Sequence, residues 1–383
     1  MTPVFIGSEI YRGSSYGAWH PLHIPRVSTV MDLVRALGWL EPGQYRTSPR
    51  AKPAALSVFH CPDYIAALQQ AEATQQASPQ IQARYGLGSM ANPVFPEMFR
   101  RPATGAGGVM LAATLLAGGG VVHVPGGGTH HALADRANGF CYLNDPVLAL
   151  LALRHMGLSR IAYVDIDAHH CDGVEAALSG AEDMLLISVH EEKRWPFTGG
   201  LEDRGAGRAV NLPVPRGLND TEMRAILHRL ILPALERFAP QAIVLQCGAD
   251  AVEEDPLSRL ALSNNAHTDI ALALRACTPR LMVLGGGGYN PWSVARCWTR
   301  VWGALNGHAT EGALPEGAQA VLRALSWNRR GTGRTAQDHW HTTLADPPRE
   351  GPLRPEISAR LDHLRMRLGL GPLRRSAGQI KTA

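Results

Sequence analysis

The segment VDIDAHHCDG, residues 164–173, places three carboxylates, two imidazoles and one thiol within ten residues. Side chains two apart on an extended strand face the same side, so Asp167 and His169 can present an oxygen and a nitrogen to one point. Asp250, in the segment AIVLQCGAD, can supply a third ligand. A catalytic divalent metal needs about three protein ligands and an open position. We therefore predict a metal site held by Asp167, His169 and Asp250.

Two adjacent histidines, His130 and His131, follow the glycine run of PGGGTHH. An imidazole that acts as a base needs a partner on its other ring nitrogen, which fixes its tautomer. The carboxylates that the metal does not use are Asp165 and Asp172, so we pair Asp165 with His130 and Asp172 with His131. Tyr289, after the four glycines of GGGGYN, can donate its hydroxyl to a developing oxyanion.

From about residue 110 onward, short runs rich in Val, Ile and Leu alternate with segments of helical period, which predicts parallel strands joined by helical crossovers. The predicted strands are 120–124, 160–166, 184–189, 242–247 and 280–285, and the predicted helices are 144–157, 174–179, 220–238 and 267–276. The polar segments PGGGTHH, DAHHCDG, SVHEE, GADA and GGGGYN each follow a predicted strand. Because ligands bind at the carboxyl ends of strands in an open parallel sheet, we expect these segments to converge.

The overall composition is that of an ordinary globular protein, with 383 residues, 45% hydrophobic residues, 18% charged residues and a net charge of +4. No basic cluster interleaved with aromatic residues is present, so we expect no direct binding of nucleic acid. The six cysteines form no CxxC pair, the N-terminal segment lacks a signal-peptide pattern, and no apolar run reaches transmembrane length. These features predict a cytoplasmic chain without a membrane span.

Six segments together resemble the signature blocks of the zinc-dependent histone deacetylase superfamily, in the order of that family: GGGTHHA, GFCYLND, YVDIDAHHCDGVE, ISVH, LQCGAD and LGGGGYN. The similarity is closest to class I enzymes and to bacterial acetoin-utilisation-type deacetylases, and it runs from about WHPLHIPR (19–26) to YNPWSVARCW (289–298). It implies an open three-layer α/β arginase-deacetylase fold with a mostly parallel central sheet and helices on both faces. It also implies one catalytic domain over 1–383, with a core of about 5–310 and a helical or irregular extension at 311–383.

The resemblance implies that the protein hydrolyses an acetyl or other short acyl group from an N-acyl amine such as acetyllysine. The three predicted ligands would hold Zn²⁺, and Fe²⁺ also suits such a donor set. His131 would act as general base and then as general acid, while His130 would assist electrostatically. Tyr289 would polarise the carbonyl group of the substrate.

The resemblance also assigns residues around the reacting centre. A tunnel of the size of an acyl-lysine would be lined by Phe140, Gly139, Trp195, Leu257 and Ala91, with Trp195 at a position where many members carry Phe. An inner cavity that handles acetate would lie beside Arg26 and Gly287. A structural K⁺ would be held by Asp165, Asp167, His169, Ser188 and Val189. The implied partners are an acylated lysine or a small N-acyl amine, and a homo-oligomer is compatible with the sequence.

Three positions depart from the family pattern. Cys171 replaces a glycine that the family usually has, and we do not expect it to bind the metal. Ala91, in GLGSMANPVF, stands where lysine deacetylases carry an Asp that grips the substrate backbone. Leu257 stands where polyamine deacetylases use a Glu. The substrate is therefore left open between acylated lysine and small N-acyl amines, including acetylpolyamines.

Two other functions are compatible with part of the pattern. The related binuclear manganese ureohydrolases need two further Asp residues, at positions that Cys171 and Val252 occupy here. A catalytically inactive acyl-binding module would have lost a metal ligand, His131 or Tyr289, and all of these are present. We therefore favour an active hydrolase. The Pro/Arg-rich segment at about 328–356 and the tail PLRRSAGQIKTA are expected at the surface.

Overall fold

The computed structural model describes residues 2–327 and 336–371, and within these ranges eight parallel strands form one sheet. The strands are β1 (Val4–Gly7), β2 (Tyr45–Thr47), β3 (Gly120–Val124), β4 (Ile161–Asp165), β5 (Met184–Glu191), β6 (Ala209–Val214), β7 (Ala242–Gln246) and β8 (Arg280–Leu284). Their order across the sheet is β2-β1-β3-β8-β7-β4-β5-β6.

The helices surround this sheet. The α-helices are α1 (Ile10–Gly13), α2 (Val27–Ala36), α3 (Pro53–Leu56), α4 (Pro62–Thr74), α5 (Pro79–Tyr85), α6 (Arg100–Leu115), α7 (Asp145–His155), α8 (Asp172–Leu178), α9 (Asp220–Ile226), α10 (Leu232–Phe238), α11 (Asn264–Cys277), α12 (Pro291–Leu305), α13 (Glu316–Arg323), α14 (Asp338–Thr342) and α15 (Pro355–Arg367). A π-helical turn, Leu227–Ile231, makes α9 and α10 one continuous helix. Over the described ranges, no helix is both long enough and apolar enough to cross a bilayer.

The five predicted strands correspond to β3, β4, β5, β7 and β8, and the four predicted helices are also present. The sequence patterns do not predict β1, β2 and β6, and two of these strands have features that hide them. Strand β2 has only three residues, and β6 (AVNLPV) contains Pro213, which is tolerated because β6 lies at the edge of the sheet. The helix predicted at 267–276 begins earlier, at Asn264, because the Ser263 side chain caps its first turn.

Burial of both faces of the sheet explains why its central strands are continuous apolar runs. In β4, Ile161 and Tyr163 pack into the core on one face, whereas Ala162 and Val164 pack into the core on the other. Burying a side chain of the size of Ile161 or Val164 contributes about 1.5–3 kcal/mol to the free energy of unfolding. These two cores hold the site-bearing strands in place.

The region after α12 packs against the rest of the fold. Trp340, in α14, is fully buried and stacks on Trp292 at a ring distance of 5.6 Å. The buried carboxylate of Asp346 accepts a 2.6 Å hydrogen bond from Arg296. The prediction of a surface segment at 328–356 is therefore wrong for Trp340, Leu344 and Asp346, because these side chains are buried. Residues 328–335 and the tail at 372–383 lie outside the described residues.

Candidate metal and catalytic site

The carboxyl ends of four central strands lie side by side because their last paired residues are in register. Asp165 of β4 pairs with Gln246 of β7, which pairs with Leu284 of β8, and Leu284 pairs with Val124 of β3. The segments that follow these strands therefore leave the sheet at the same height. They carry the side chains for which the sequence predicts a common site.

Asp167, His169 and Asp250 come together as a buried group whose ligand atoms all lie within 4.8 Å of one another. Nδ1 of His169 lies 3.1 Å from Oδ1 of Asp167 and 3.0 Å from Oδ2 of Asp250. Two carboxylate oxygens and one imidazole nitrogen that converge in this way suit Zn²⁺ or another divalent transition metal. Among the described residues, no other group of three or more His, Cys, Asp or Glu side chains is arranged so that it could hold a metal.

The other oxygen of each carboxylate is held by the protein. Oδ2 of Asp167 accepts hydrogen bonds of 2.7 Å from Nε2 of Gln246 and from the Gly287 amide, and Oδ1 of Asp250 accepts one of 3.0 Å from the Ala168 amide. These contacts leave one oxygen of each carboxylate directed at His169. Gly287 has no room for a side chain, because a Cβ atom there would overlap the carboxylate of Asp250. The donor set is thus fixed before any ion binds.

The pKa values of this group are set by burial and by the charges of its own members. Burial and the negative charge of Asp167 raise the pKa of Asp250 to about 6. Burial opposes the charged form of His169, but hydrogen bonds to the two carboxylates outweigh it and raise the pKa of His169 to about 10. Two carboxylates held this close favour a cation between them.

The two histidines form a chain with their carboxylate partners. Nδ1 of His130 lies 2.7 Å from Oδ2 of Asp165, and Nδ1 of His131 lies 2.6 Å from Oδ1 of Asp172. This is the pairing that the sequence predicts. The Nε2 atoms of His130 and His131 lie 2.9 Å apart, so a single hydrogen occupies the space between them.

The pKa values of this pair diverge. Burial opposes the charge of His130, but Asp165 and Asp167 raise its pKa to about 9. Burial and the neighbouring His130 lower the pKa of His131 to about 4, against the opposing effect of Asp172. His130 therefore carries the proton that the two rings share, and Nε2 of His131 is unprotonated and accepts it, which is the protonation state that a general base requires.

Tyr289 enters the site from the segment after β8. Its backbone amide donates a 2.6 Å hydrogen bond to Asp255, which anchors the turn, and burial raises the pKa of its hydroxyl well above the usual range. The hydroxyl is thus a hydrogen-bond donor at neutral pH. The Phe140 ring packs edge-on against Tyr289, with ring centroids 5.8 Å apart. Phe140 has φ = 70° and follows Gly139 at φ = 51°, so this pair of residues holds a strained turn beside the site.

Two cavities meet at the reacting centre. An outer cleft of about 580 Å³ is lined by Ala91, Trp195 and Leu257, three of the residues assigned to the tunnel. A narrow inner cavity is lined by Arg26 and Gly287, the two residues assigned to an acetate cavity. Both cavities are also lined by His131, Gly139, Phe140 and Tyr289. These four residues therefore form the passage between the outer cleft and the inner cavity.

Arg26 is fixed at the wall of the inner cavity. Its Nη1 donates a 2.7 Å hydrogen bond to the Gly286 carbonyl, and its guanidinium group lies 5.4 Å from the centre of the Trp298 ring. Burial lowers the pKa of Arg26, and a buried guanidinium without a carboxylate partner attracts an anion. No ion pair to Arg26 occurs within the described part of the chain.

The SVHEE segment behaves differently from the other four polar segments, because β5 continues to Glu191. Ser188 pairs in register with Asp165, and its hydroxyl lies 2.9 Å from Nδ1 of His190. Val189 is buried in the core on one face of the sheet. The segment beyond the strand does reach the outer cleft, through Arg194 and Trp195.

Cys171 and Val252 are both almost fully buried and stand apart from the metal ligands. The backbone of Cys171 has φ = −79°, so this position does not require glycine. Burial raises the pKa of its thiol well above the usual range, which makes the thiol a poor ligand. His170 lies behind the site, where its ring contacts Thr198 and Glu175 at 2.9 and 3.1 Å.

Several residues of the site are absent from the sequence-based prediction. Gln246 holds Asp167, Tyr163 donates to Asp165, and Asn138 donates a 3.0 Å hydrogen bond to Asp172. Gln246 does carry a signal in the sequence, because an amide side chain in the apolar run AIVLQ must have a buried partner. Tyr163 and Asn138 give no such signal. Arg101, Arg136 and Arg194 also line the two cavities.

The comparison with known proteins bears directly on this arrangement. Residues 20–305 match the family described as "Histone deacetylase domain". The chain belongs to the histone deacetylase family. The curated relatives include the acetoin utilization protein AcuC of Bacillus subtilis, 32% identical over 79% of this chain and 82% of that protein. Histone deacetylase 9 of Arabidopsis thaliana is 35% identical over 79% of this chain and 73% of that protein.

Solved histone deacetylase homologues share the fold. The crystal structure of a homologue from Aquifex aeolicus has a TM-score of 0.90 and 34% identity, covering 95% of this chain and all of that one. A homologue complexed with SAHA has a TM-score of 0.88 and 33% identity over the same shares. The predicted arginase-deacetylase fold is thereby confirmed, with a sheet that is parallel throughout the described residues. Membership of the histone deacetylase family supports a deacetylase hydrolase.

Proposed function

We propose that the protein is a metal-dependent deacylase that hydrolyses the amide bond of an N-acylated amine and releases a short carboxylic acid. The observation that carries this proposal is the convergence of the Asp167, His169 and Asp250 donor group, the His130/His131 pair and Tyr289 on one passage between two cavities. Amide hydrolysis needs an activated water, a polarised carbonyl and a proton for the departing amine. This group of side chains can meet all three needs.

Asp167, His169 and Asp250 would hold Zn²⁺, or Fe²⁺, whose donor preferences overlap. When bound, such an ion polarises the carbonyl and lowers the pKa of water. Gln246 and the Gly287 amide pre-orient Asp167, and the Ala168 amide pre-orients Asp250, so little reorganisation accompanies binding. A structural K⁺ at Asp165, Asp167, His169, Ser188 and Val189 stays part of the proposal.

His131 would accept a proton from the attacking water at Nε2 and return it to the departing amine. The 2.6 Å contact with Asp172 keeps the hydrogen on Nδ1 and so leaves Nε2 free to accept. His130, held charged by Asp165, would stabilise negative charge that develops beside it. The Tyr289 hydroxyl would donate to the carbonyl oxygen as it gains charge.

The acyl group would point inward and the amine outward. The inner cavity, with the Arg26 guanidinium at its wall, suits a small carboxylic acid product. The outer cleft, lined by Phe140 and Trp195, suits the chain that carries the amine. A catalytically inactive binding module is disfavoured, since no predicted ligand, base or donor is missing. We also propose a cytoplasmic location, because all six cysteines are free.

The test is to load the purified protein with Zn²⁺ or Fe²⁺ and to measure amine release from acetyllysine peptides, free acetyllysine, acetylpolyamines and amines with longer acyl chains. We expect turnover of at least one class. Tyr289→Phe should lower kcat by about 10²–10³-fold, the effect of losing one oxyanion donor, with metal content unchanged.

Tyr64→Phe is the matched control, because it also removes a buried hydroxyl, one that donates a 2.5 Å hydrogen bond to the Tyr142 carbonyl. It should lower the free energy of unfolding by about 1–3 kcal/mol and leave kcat within about twofold. Absence of turnover across the panel with either metal would favour the binding module. Equal kcat in Tyr289→Phe and wild type would remove Tyr289 from the mechanism.

A further inference from the structure

The outer cleft has an unusual balance of charge. Its polar lining consists of neutral side chains, the two site histidines and two arginines, Arg136 and Arg194. No Asp or Glu belongs to the lining among the residues that the structure describes. The apolar part of the lining comes from side chains such as Ala91, Trp195 and Leu257. A ligand in this cleft therefore meets fixed positive charge without a facing carboxylate.

Arg136 is the exposed member of this pair. Its backbone carbonyl accepts a 3.0 Å hydrogen bond from the Leu133 amide, which fixes the chain at the cleft wall. Within residues 2–327 and 336–371, its guanidinium group makes no ion pair. The neighbouring Asp135 is already paired, at 2.6 Å, with Arg84. With respect to the described residues, the guanidinium donors of Arg136 are thus available to a ligand.

Arg194 belongs to a group that keeps an excess of positive charge. Its Nε and Nη2 donate hydrogen bonds of 2.9 and 2.8 Å to the buried carboxylate of Glu191, and Nη1 is left over. Glu191 also lies 3.6 Å from Nε of Arg216. Two guanidinium groups therefore share one carboxylate. The three side chains together carry a net charge of +1, with Arg194 at the cleft wall and Arg216 outside the cleft lining.

The carboxylates beneath the cleft do not cancel this charge. Asp172 is committed to His131 and Asn138. Asp255 accepts the backbone amides of Leu257 and Tyr289, and burial raises its pKa well above the usual range, toward the uncharged form. Neither side chain lines the cleft.

We propose that the outer cleft selects N-acyl amines whose far end carries a carboxylate or another anionic group, with Arg136 as the residue that determines this preference. The inference rests on the proposed deacylation and narrows its substrate class to small N-acylated amino acids and related amino carboxylates. An arginine can bind a carboxylate through two parallel hydrogen bonds, and it repels an ammonium group. A cationic acetylpolyamine is therefore a poor substrate.

The magnitude follows from the exposure of the cleft. A solvent-exposed charge pair contributes about 0.2–1 kcal/mol, and a bidentate pair lies at the upper end of this range. At low salt we therefore expect kcat/KM to be about three- to fivefold higher for an anionic end than for a neutral one. Repulsion of an ammonium group widens the gap between anion and cation to about tenfold. Salt should shrink both ratios.

The experiment uses the metal-loaded full chain and three acetamides that share one pentamethylene spacer and differ only at the far end. They are 6-acetamidohexanoate, N-hexylacetamide and N-acetylcadaverine, which end in a carboxylate, a methyl and an ammonium group. The readout is the ratio of kcat/KM values within each protein. Arg136→Gln should bring the anion-to-neutral ratio close to one, and Arg136→Glu should invert the order of anion and cation. Arg136→Lys should keep the order.

The matched control is Arg323→Gln, which removes the same charge from an exposed arginine of α13 that is paired with Glu316 and does not line the cleft. It should leave all three kcat/KM values within about twofold. Alkyl hydroxamates with the same three ends, measured by calorimetry, give the order of Kd values independently of turnover.

The outcomes separate this inference from the proposed function. Turnover of the neutral acetamide without a charge order, or with an order that survives in Arg136→Gln, overturns the inference and leaves the deacylase function standing. Absence of turnover for all three acetamides counts against the function. The order of hydroxamate Kd values then decides the charge preference, and equal Kd values for the carboxylate and ammonium ends would overturn it.

Discussion

Asp172 accepts a hydrogen bond of 2.6 Å on its Oδ1 from Nδ1 of His131. Its other oxygen accepts one of 3.0 Å from Asn138, so the carboxylate cannot turn away from the ring. An acceptor at this point keeps the hydrogen of His131 on Nδ1. The orientation of the proposed base is thus set by a side chain that does not belong to the metal group.

Replacing this acceptor tests the relationship. In Asp172→Asn, the amide can present its NH₂ group to Nδ1, which favours the tautomer with the hydrogen on Nε2 and removes the lone pair that accepts a proton. We expect kcat to fall by about 10²–10⁴-fold with metal content unchanged, as measured by steady-state assays and elemental analysis. Asp183→Asn, which breaks a surface contact with Arg154, is the control and should retain full activity. Retention of kcat in Asp172→Asn would contradict the proposed role of His131.

The close packing around Gly287 gives a second prediction. Gly287→Ala places a methyl group against the Asp250 carboxylate and near Asp167, so it should displace both oxygens from their converging arrangement. We expect metal affinity to fall by about 10–100-fold, measured by competition with a chromogenic chelator. Gly317→Ala is the control, because a Cβ at Gly317 meets nothing within 4 Å, and it should change stability by about 1 kcal/mol or less. Equal metal affinity in wild type and Gly287→Ala would contradict this site.

Metal binding to the folded state should also raise the free energy of unfolding. If Asp167, His169 and Asp250 hold the ion, saturating Zn²⁺ at about 100 times Kd adds about 2.7 kcal/mol to the free energy of unfolding. Calorimetric scans with and without chelator measure this shift. Asp250→Asn should abolish most of it, because the amide is a weaker ligand than the carboxylate. A shift of the same size in Asp250→Asn would mean that the ion binds elsewhere.

The burial of His123 predicts that the free energy of unfolding depends on pH for a reason unrelated to the site. Its ring is fully buried in β3 between Phe5 and Trp302, both ring nitrogens lack a hydrogen-bond partner, and burial lowers its pKa to about 3. The unfolded chain binds a proton near pH 6.5 while the folded chain does not. Stability from this group is therefore fully present above pH 6.5 and falls by about 1.4 kcal/mol for each pH unit below it, down to about pH 3.

His123→Phe removes this proton uptake and keeps an aromatic ring beside Phe5. Denaturant unfolding of the variant should show a shallower loss of stability than wild type between pH 6 and pH 4. Above pH 7 the difference between the two proteins should not depend on pH. A constant difference across the whole range would show that folding does not lower the pKa of His123.

The sequence was sufficient for those parts of the site in which polar residues directly follow apolar strands. Asp167 and Asp250 could be placed in this way, since both come after buried runs whose carboxyl ends meet. The position of Gln246 could not, because its partner becomes visible only when β4 and β7 are paired in register. Edge strand β6 could not be predicted either, because Asn211 and Pro213 interrupt its apolar run. Arg136 carries no local signal, because only the tertiary fold brings it to the cleft wall.

The burial of Cys171 has a practical consequence for probing the protein in solution. The thiol closest in sequence to the metal ligands is almost fully enclosed, and so are Cys141, Cys247 and Cys297. The thiols open to solvent are those of Cys61 and Cys277. A maleimide dye should therefore attach at these two positions without reaching the catalytic chamber. The native chain thus already offers two handles for fluorescence labelling, and it needs no engineered cysteine.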